Sequence, residues 1–219
     1  MIVIEKHVAG TFPSLQVLGA RIEGVRIVEY DQRLEVLKGE VAADIRSKLT
    51  IGTLKDHYLM RKYRDFFWKI GVDPTKTRPA SEALIRRILA GKPIPTINSF
   101  VDSYNIASAI SGIPIAAFDI DTIKGSIMMR FSKVGEKFGG IGMEKEFELK
   151  GNEVVLEDEI GLIAVYPYRD ADRTKVTTAS KNVMLLFCGA PEVDGKYLIA
   201  CKEECLRKVS VFCGGSIVG

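Results

Sequence analysis

INSFVDSYNIASAISGIPIAAFDIDTIKGSIMMR, residues 97–130, changes period partway along its length. In its first half Phe100, Tyr104, Ala107 and Ile110 recur at spacings of three and four, the mark of one apolar helix stripe. Asn98, Asp102, Asn105 and Ala109 form a second stripe, and three of those four are polar. Gly112 and Pro114 then stop the helix, since glycine suits the left-handed cap and proline cannot donate a backbone bond. Beyond them IAAFDID, Lys124-Gly125 and SIMMRF read as strand, turn and strand. A helix with a polar face runs directly into a sheet, and that face is either solvated or the wall of a pocket.

Upstream, the chain reads mostly as helix. Ile2 to Ile4 and Leu15 to Ile22 are short strands, with Val25 to Val28 as an extension. Leu34, Leu37, Val41 and Ile45 give Asp31–Leu49 an apolar stripe. Thr53 is the expected N-cap of a helix running to Ile70, and Trp68 within it is expected in the core. Ser81 to Ala90 is a third helix. Downstream the pattern is β. Gly135-Glu136 and Gly139-Gly140 read as turns, and Lys150-Gly151-Asn152 reads as a hairpin turn between Glu146–Leu149 and Glu153–Leu156. Ile160–Tyr166 and Asn182–Phe187 are strands, separated by a polar loop. Cys201–Phe212 reads as an amphipathic helix, alone or merging into a strand, before a glycine-rich, frayed tail. The expected fold is α+β: a helical N-terminal half packed on a mixed, largely antiparallel sheet. No linker interrupts it, so residues 1–219 are expected to form one domain.

Composition narrows the function classes. Charged residues make up 27% and hydrophobic residues 47% of 219, a globular balance. A net charge of +3 is too small for a polybasic arm. No apolar run reaches the roughly 18 residues of a membrane span, and MIVIEKHVAG does not read as a signal peptide, so a cytoplasmic protein without a membrane partner is expected. The four cysteines contain no CxxC pair, which leaves no metal site to expect; they read as small buried hydrophobes. Phosphate-loop, dinucleotide, HExxH and nucleophile-elbow motifs are absent. Only His7 and His57 are present, each in a structural or surface context, so catalysis through histidine is not expected. No cofactor is implied.

One ordered set of residues is more specific. Arg78-Pro79-Ala80-Ser81-Glu82-Ala83-Leu84-Ile85-Arg86-Arg87-Ile88 is followed by Val101-Asp102-x-x-Asn105, then by Gly112-x-Pro114-x-x-Ala117-Phe118-Asp119-x-Asp121-x-x-x-Gly125. Arg130, Gly135-Glu136 and Lys181-Asn182-Val183 extend the set. It resembles the B3/B4 domain of the bacterial phenylalanyl-tRNA synthetase β-subunit, in its free-standing form, over about residues 34–190. The resemblance implies an editing pocket that hydrolyses tyrosine wrongly attached to the phenylalanine tRNA. It implies a helix asparagine, matched by Asn105, and a late acidic residue, matched by Asp172 or Asp170. Ala116 stands where the family carries a histidine, which argues against tyrosine specificity but not against ester hydrolysis. Asn105, Asp170 and Asp172 are thus the catalytic candidates. Asp102, Arg169, Thr174, Thr177 and Ala116 are substrate-binding candidates. Arg61, Lys62, Arg86 and Arg87 are candidates for nucleic-acid contact, with tRNA and an aminoacyl moiety as the implied partners. The expected function is hydrolysis of mischarged aminoacyl-tRNA in trans; a non-catalytic module for tRNA, an amino acid or a small ligand is the alternative.

Overall fold

The structure, a computed structural model, describes residues 2–218. β1 (Ile2–Ile4) and α1 (Lys6–Thr11) lead into β2 (Val17–Glu23). Five helices follow: α2 (Gln32–Lys48), α3 (Ile51–Leu54), α4 (Tyr58–Lys69), α5 (Ala80–Leu89) and α6 (Ser99–Ser111). The β-rich part runs through β3 (Ile115–Asp119), β4 (Ile127–Phe131), β5 (Val134–Phe138), β6 (Phe147–Lys150), β7 (Val154–Glu157), β8 (Leu162–Val165), β9 (Arg169–Asp170) and β10 (Asn182–Cys188). Helix α7 (Gly195–Cys213) and β11 (Ser216–Val218) close the chain. The fold is α+β, as the sequence implies, but the strands divide among three sheets. One has the order β1-β4-β7-β8-β9, with β1 and β4 parallel and the rest antiparallel; the second, β11-β2-β10-β3, is wholly antiparallel; β5 and β6 form a ribbon. Among the described residues no helix is long and apolar enough to cross a membrane.

Helix α6 ends at Gly112, where its sequence says, and begins after Asn98, whose spacing places it in the polar stripe but which is the N-cap. The Asn98 side chain accepts from the backbone N–H groups of Phe100 and Val101, a cap of about 1 kcal/mol. Gly112 closes the helix at φ 72°. The positive φ is what requires glycine, and an added Cβ would also have to displace the Met60 methyl, 2.9 Å away. Helix α6 packs against α2, α5 and α7, and α7 also covers β2 and β10. Leu34, Phe66, Phe100, Phe118, Phe187 and Cys205 belong to one buried cluster that joins helices to both larger sheets. Each such aromatic or aliphatic side chain contributes roughly 1.5–3 kcal/mol by burial.

Several expectations fail for identifiable reasons. The strand, turn and strand expected after α6 are present as β3 and β4, but the two strands enter different sheets: β3 pairs with β10 and β4 with β1 and β7. Between them Asp119 accepts from Asp121 N–H, and Asp158 from Lys124 N–H, which carries the chain from one sheet to the other. Lys150-Gly151-Asn152 does turn, with Gly151 at φ 94°, yet β6 pairs with β5 and β7 with β4 and β8. The buried Glu153 carboxylate accepts from Lys150 and Gly151 N–H and from Ser132 Oγ, fixing a corner and not a hairpin. Gly135 and Glu136 lie within β5, at a register shift. The helix expected from Thr53 to Ile70 is two helices, and Thr53 is the third residue of a capping box whose N-cap is Thr50. Trp68 is 58% exposed, because Tyr63, Phe66 and Phe67 occupy the buried face of α4. Val25 and Ile27 are buried but form no strand. The final helix starts earlier, at Gly195, and the tail is ordered as β11 against β2. All four cysteines are free and buried.

Candidate functional site

The polar stripe of α6 splits between interior and surface. Asp102 turns inward, where its carboxylate pairs with Lys38 Nζ at 2.7 Å and accepts from Ile97 N–H at 3.0 Å. Lys38 also donates to Glu35 and Thr96. Burial raises the Asp102 pKa against the pull of Lys38. Asp102 therefore ties α2 to α6 and is not among the residues that line the neighbouring cleft, a structural role where substrate contact is expected. Asn105 lies three residues on, half-buried, and its amide faces a cleft without a hydrogen-bond partner among the described residues.

That cleft measures about 740 Å³, within the range of ligand sites. The segment before α5, the helices α5 and α6, and Tyr168–Asp170 wall it. Five cations line it: Lys76, Arg78, Arg86, Arg87 and Arg169. Arg86 is held by the buried Glu82, and Arg87 donates to Pro93 O. Lys76, Arg78 and Arg169 form no ion pair among the described residues. Asp170 is the one carboxylate among the residues lining this cleft. The arrangement attracts anions and leaves one acid in their midst.

A smaller cavity of about 50 Å³ adjoins the cleft; Ala80, Tyr168, Arg169 and Asp170 line both. Pro114, Ala116, Leu156, Ala164, Leu186 and Cys188 make its interior. Strand pairing sets Asp170 opposite Ala164. On either side of that pairing, Ala171 N–H bonds to Ile163 O and Ile141 N–H to Asp170 O, so its backbone is pinned. The side chain has no hydrogen-bond partner among the described residues, and burial pushes its pKa up to about 7 despite the nearby Arg169 charge. Its charge in turn raises the Tyr104 hydroxyl and Cys188 thiol, both already raised by burial.

Of the candidates, Asn105, Asp170, Arg169, Arg86 and Arg87 come together at the cleft, and Ala116 sits in the inner cavity. Asp172 does not join them: it is exposed and pairs with Lys175 at 2.8 Å, because a 3-10 turn at Asp172–Thr174 ends the short strand. Thr174 is fully buried, with no hydrogen-bond partner for its hydroxyl. The Thr177 hydroxyl caps Ala179 N–H in its own turn. On α4, Lys62 pairs with Glu192 and lies 5.3 Å from the Tyr58 ring centre, and neither it nor Arg61 lines the cleft. Lys76, Arg78, Tyr104 and Tyr168 were not among the candidates. The signal for the first two was their place just before a helix start; for the tyrosines there was none. No three His, Cys, Asp or Glu side chains gather as a metal site would require, among the described residues.

A family model described as B3/4 domain matches residues 62–195. The phenylalanine–tRNA ligase beta subunit of Mycoplasma pneumoniae is 30% identical over 96 residues, 44% of this chain and 12% of that protein. The Chromobacterium violaceum beta subunit is 30% identical over 115 residues, 52% of this chain and 14% of that protein. The chain thus spans only a small part of these relatives' length. A crystal structure of an N-terminal fragment of the Pyrococcus horikoshii phenylalanyl-tRNA synthetase beta subunit superposes with a TM-score of 0.52 at 16% identity. The match covers 99% of this chain and 50% of that one and shows a shared fold.

Proposed function

The chain belongs to the B3/4 domain family, and on that premise we propose that it hydrolyses mischarged aminoacyl-tRNA in trans, in the cytoplasm. One observation carries the reading: Asn105 and Asp170 line the same cation-rolled cleft, 65 positions apart in sequence and brought together by the fold. The five cations suit the phosphates and sugars of a tRNA 3′ end, which they would hold mainly by charge. The ester linking amino acid to ribose is already activated, so positioning and modest base catalysis suffice. In this reading the Asn105 amide donates to the ester carbonyl and stabilises the oxyanion. The Asp170 carboxylate holds a water and takes its proton as the oxygen attacks the carbonyl carbon. Collapse breaks the bond to the ribose oxygen, which leaves with that proton. A carboxyl with a pKa of about 7 suits such a base near neutral pH.

The test is deacylation of a panel of mischarged tRNAs by the wild-type chain, Asp170→Asn and Asn105→Ala. Turnover of at least one mischarged tRNA is expected, falling about 100-fold or more in each variant and rising with pH through about 7 in the wild type. A second reading, binding without chemistry, is favoured by the absence of any histidine from the cleft walls. Tight tRNA binding with no turnover across the panel establishes that reading and removes the hydrolase.

A further inference from the structure

We infer that the aminoacyl group accepted here carries a small aliphatic side chain, seated in the inner cavity beside Ala116, and that aromatic side chains are excluded. This rests on the reading of the cleft as an aminoacyl site and names its substrate class. The cavity adjoins the cleft at Asp170, where the ester would sit, so the amino-acid side chain is the part of the substrate placed to enter it. Its volume is about 50 Å³. One water needs roughly 10–15 Å³, so the space holds about three to five such groups. That admits side chains from a methyl up to a branched butyl group, and a benzyl or hydroxybenzyl side chain is about twice too large.

The walls also decide polarity. Pro114, Ala116, Leu156, Ala164 and Leu186 offer only carbon. The Tyr166 hydroxyl, which borders the cavity, is engaged with Gly189 O at 2.5 Å. Cys188 adds a thiol that burial keeps protonated. A substrate hydroxyl would find no strong partner in the interior.

Nor do the walls yield easily. Ala116 is paired with Leu186 across β3 and β10, and Ala164 with Leu156 across β7 and β8. The cavity therefore lies between residues of the two larger sheets, and enlarging it means moving backbone in close-packed surroundings. The two alanines are what leave the space open: a larger side chain at either position fills it.

Calorimetric titration of the full chain with non-hydrolysable 3′-aminoacylamino analogues of the trinucleotide CCA tests the inference. Alanyl and valyl analogues are expected to bind at least tenfold tighter than tyrosyl and phenylalanyl ones. Ala116→Leu is expected to reduce the alanyl analogue to the affinity of bare CCA while leaving bare CCA unchanged. Ala164→Val provides the same measurement should Ala116→Leu not fold, and the wild-type series needs no variant. If bare CCA binds and all analogues bind alike, or if the aromatic ones bind tightest, the size inference is overturned and the reading of the cleft stands. If bare CCA does not bind either, both fall.

Discussion

Asp170→Asn should make the protein more stable at neutral pH while removing a group that the proposed chemistry needs. Burial moves this carboxyl from the usual 3.8 to about 7. Between those values the folded state holds a proton that the unfolded chain releases. The protonated form thus contributes stability that is fully present below about pH 4 and is lost as pH rises through 7. The span corresponds to about 4 kcal/mol at 1.36 kcal/mol per tenfold change. Asp170 is only half-buried beside an open cleft, and solvent screening reduces the figure to about 2 kcal/mol. Asparagine keeps the shape and cannot ionise. Urea denaturation of both proteins at pH 4 and pH 8 isolates the effect, because every other titrating group is common to the two. The variant should gain about 2 kcal/mol on the wild type between the two pH values, or about 4–8 °C in Tm for a chain of this size. Parallel pH profiles would show that Asp170 is well solvated in the folded protein, and its suitability as a base near neutrality would go with that result.

Lys38→Met leaves Asp102 buried and unpaired, and should cost about 3–5 kcal/mol in urea denaturation. Adding Asp102→Asn, which retains an acceptor for Ile97 N–H, should recover more than half of that loss; no recovery would show that Lys38 matters for packing alone. Replacing Arg78 and Arg169 together by Gln should lower the slope of log affinity for tRNA against log salt by about 1.4, from two lost phosphate contacts on a single strand; an unchanged slope would place the phosphates elsewhere. Cys188, Cys201, Cys205 and Cys213 are buried with raised thiol pKa values, so Ellman's reagent should label none within minutes in native buffer and all four in denaturant.

Local chemistry explains which elements were legible. The α6 stop at Gly112 is decided by neighbouring residues and falls where the sequence puts it, while Asn98, whose spacing places it in the polar stripe, is the N-cap. The α2 stripe and its Asp31 cap are equally local. Sheet pairing is not. Alternation tells which side chains share a face but not which strand lies alongside. The glycine at Lys150-Gly151-Asn152 does specify a turn, yet the partners of β6 and β7 are chosen by Glu153, which gathers Ser132 from a distant segment into the corner. Trp68 misled for a related reason: three aromatic residues close by on α4 compete for one buried face, and Trp68 is rotated away from it.

The site was legible to the same limited depth. Spacing shows that Asp102 and Asn105 share a stripe of α6, but not that they face different surroundings. The difference comes from Lys38, 64 residues away, which reaches Asp102 with its ammonium and anchors it inside, leaving Asn105 to the cleft. The late loop repeats the pattern. Asp170 and Asp172 are equivalent as letters, yet one is fixed opposite Ala164 in a strand and the other begins a 3-10 turn that points it at solvent and Lys175. In both pairs one acidic or polar residue is consumed by structure and the other is left unpartnered at the cleft. An unpartnered, partly buried carboxylate opposes folding, and neither Arg169 nor Arg78, which line the same cleft, makes an ion pair with it. A carboxyl left without a cation partner in a cleft that holds unpaired arginines, when an ion pair would be the easier arrangement, is better explained by a ligand that completes the site than by the fold alone.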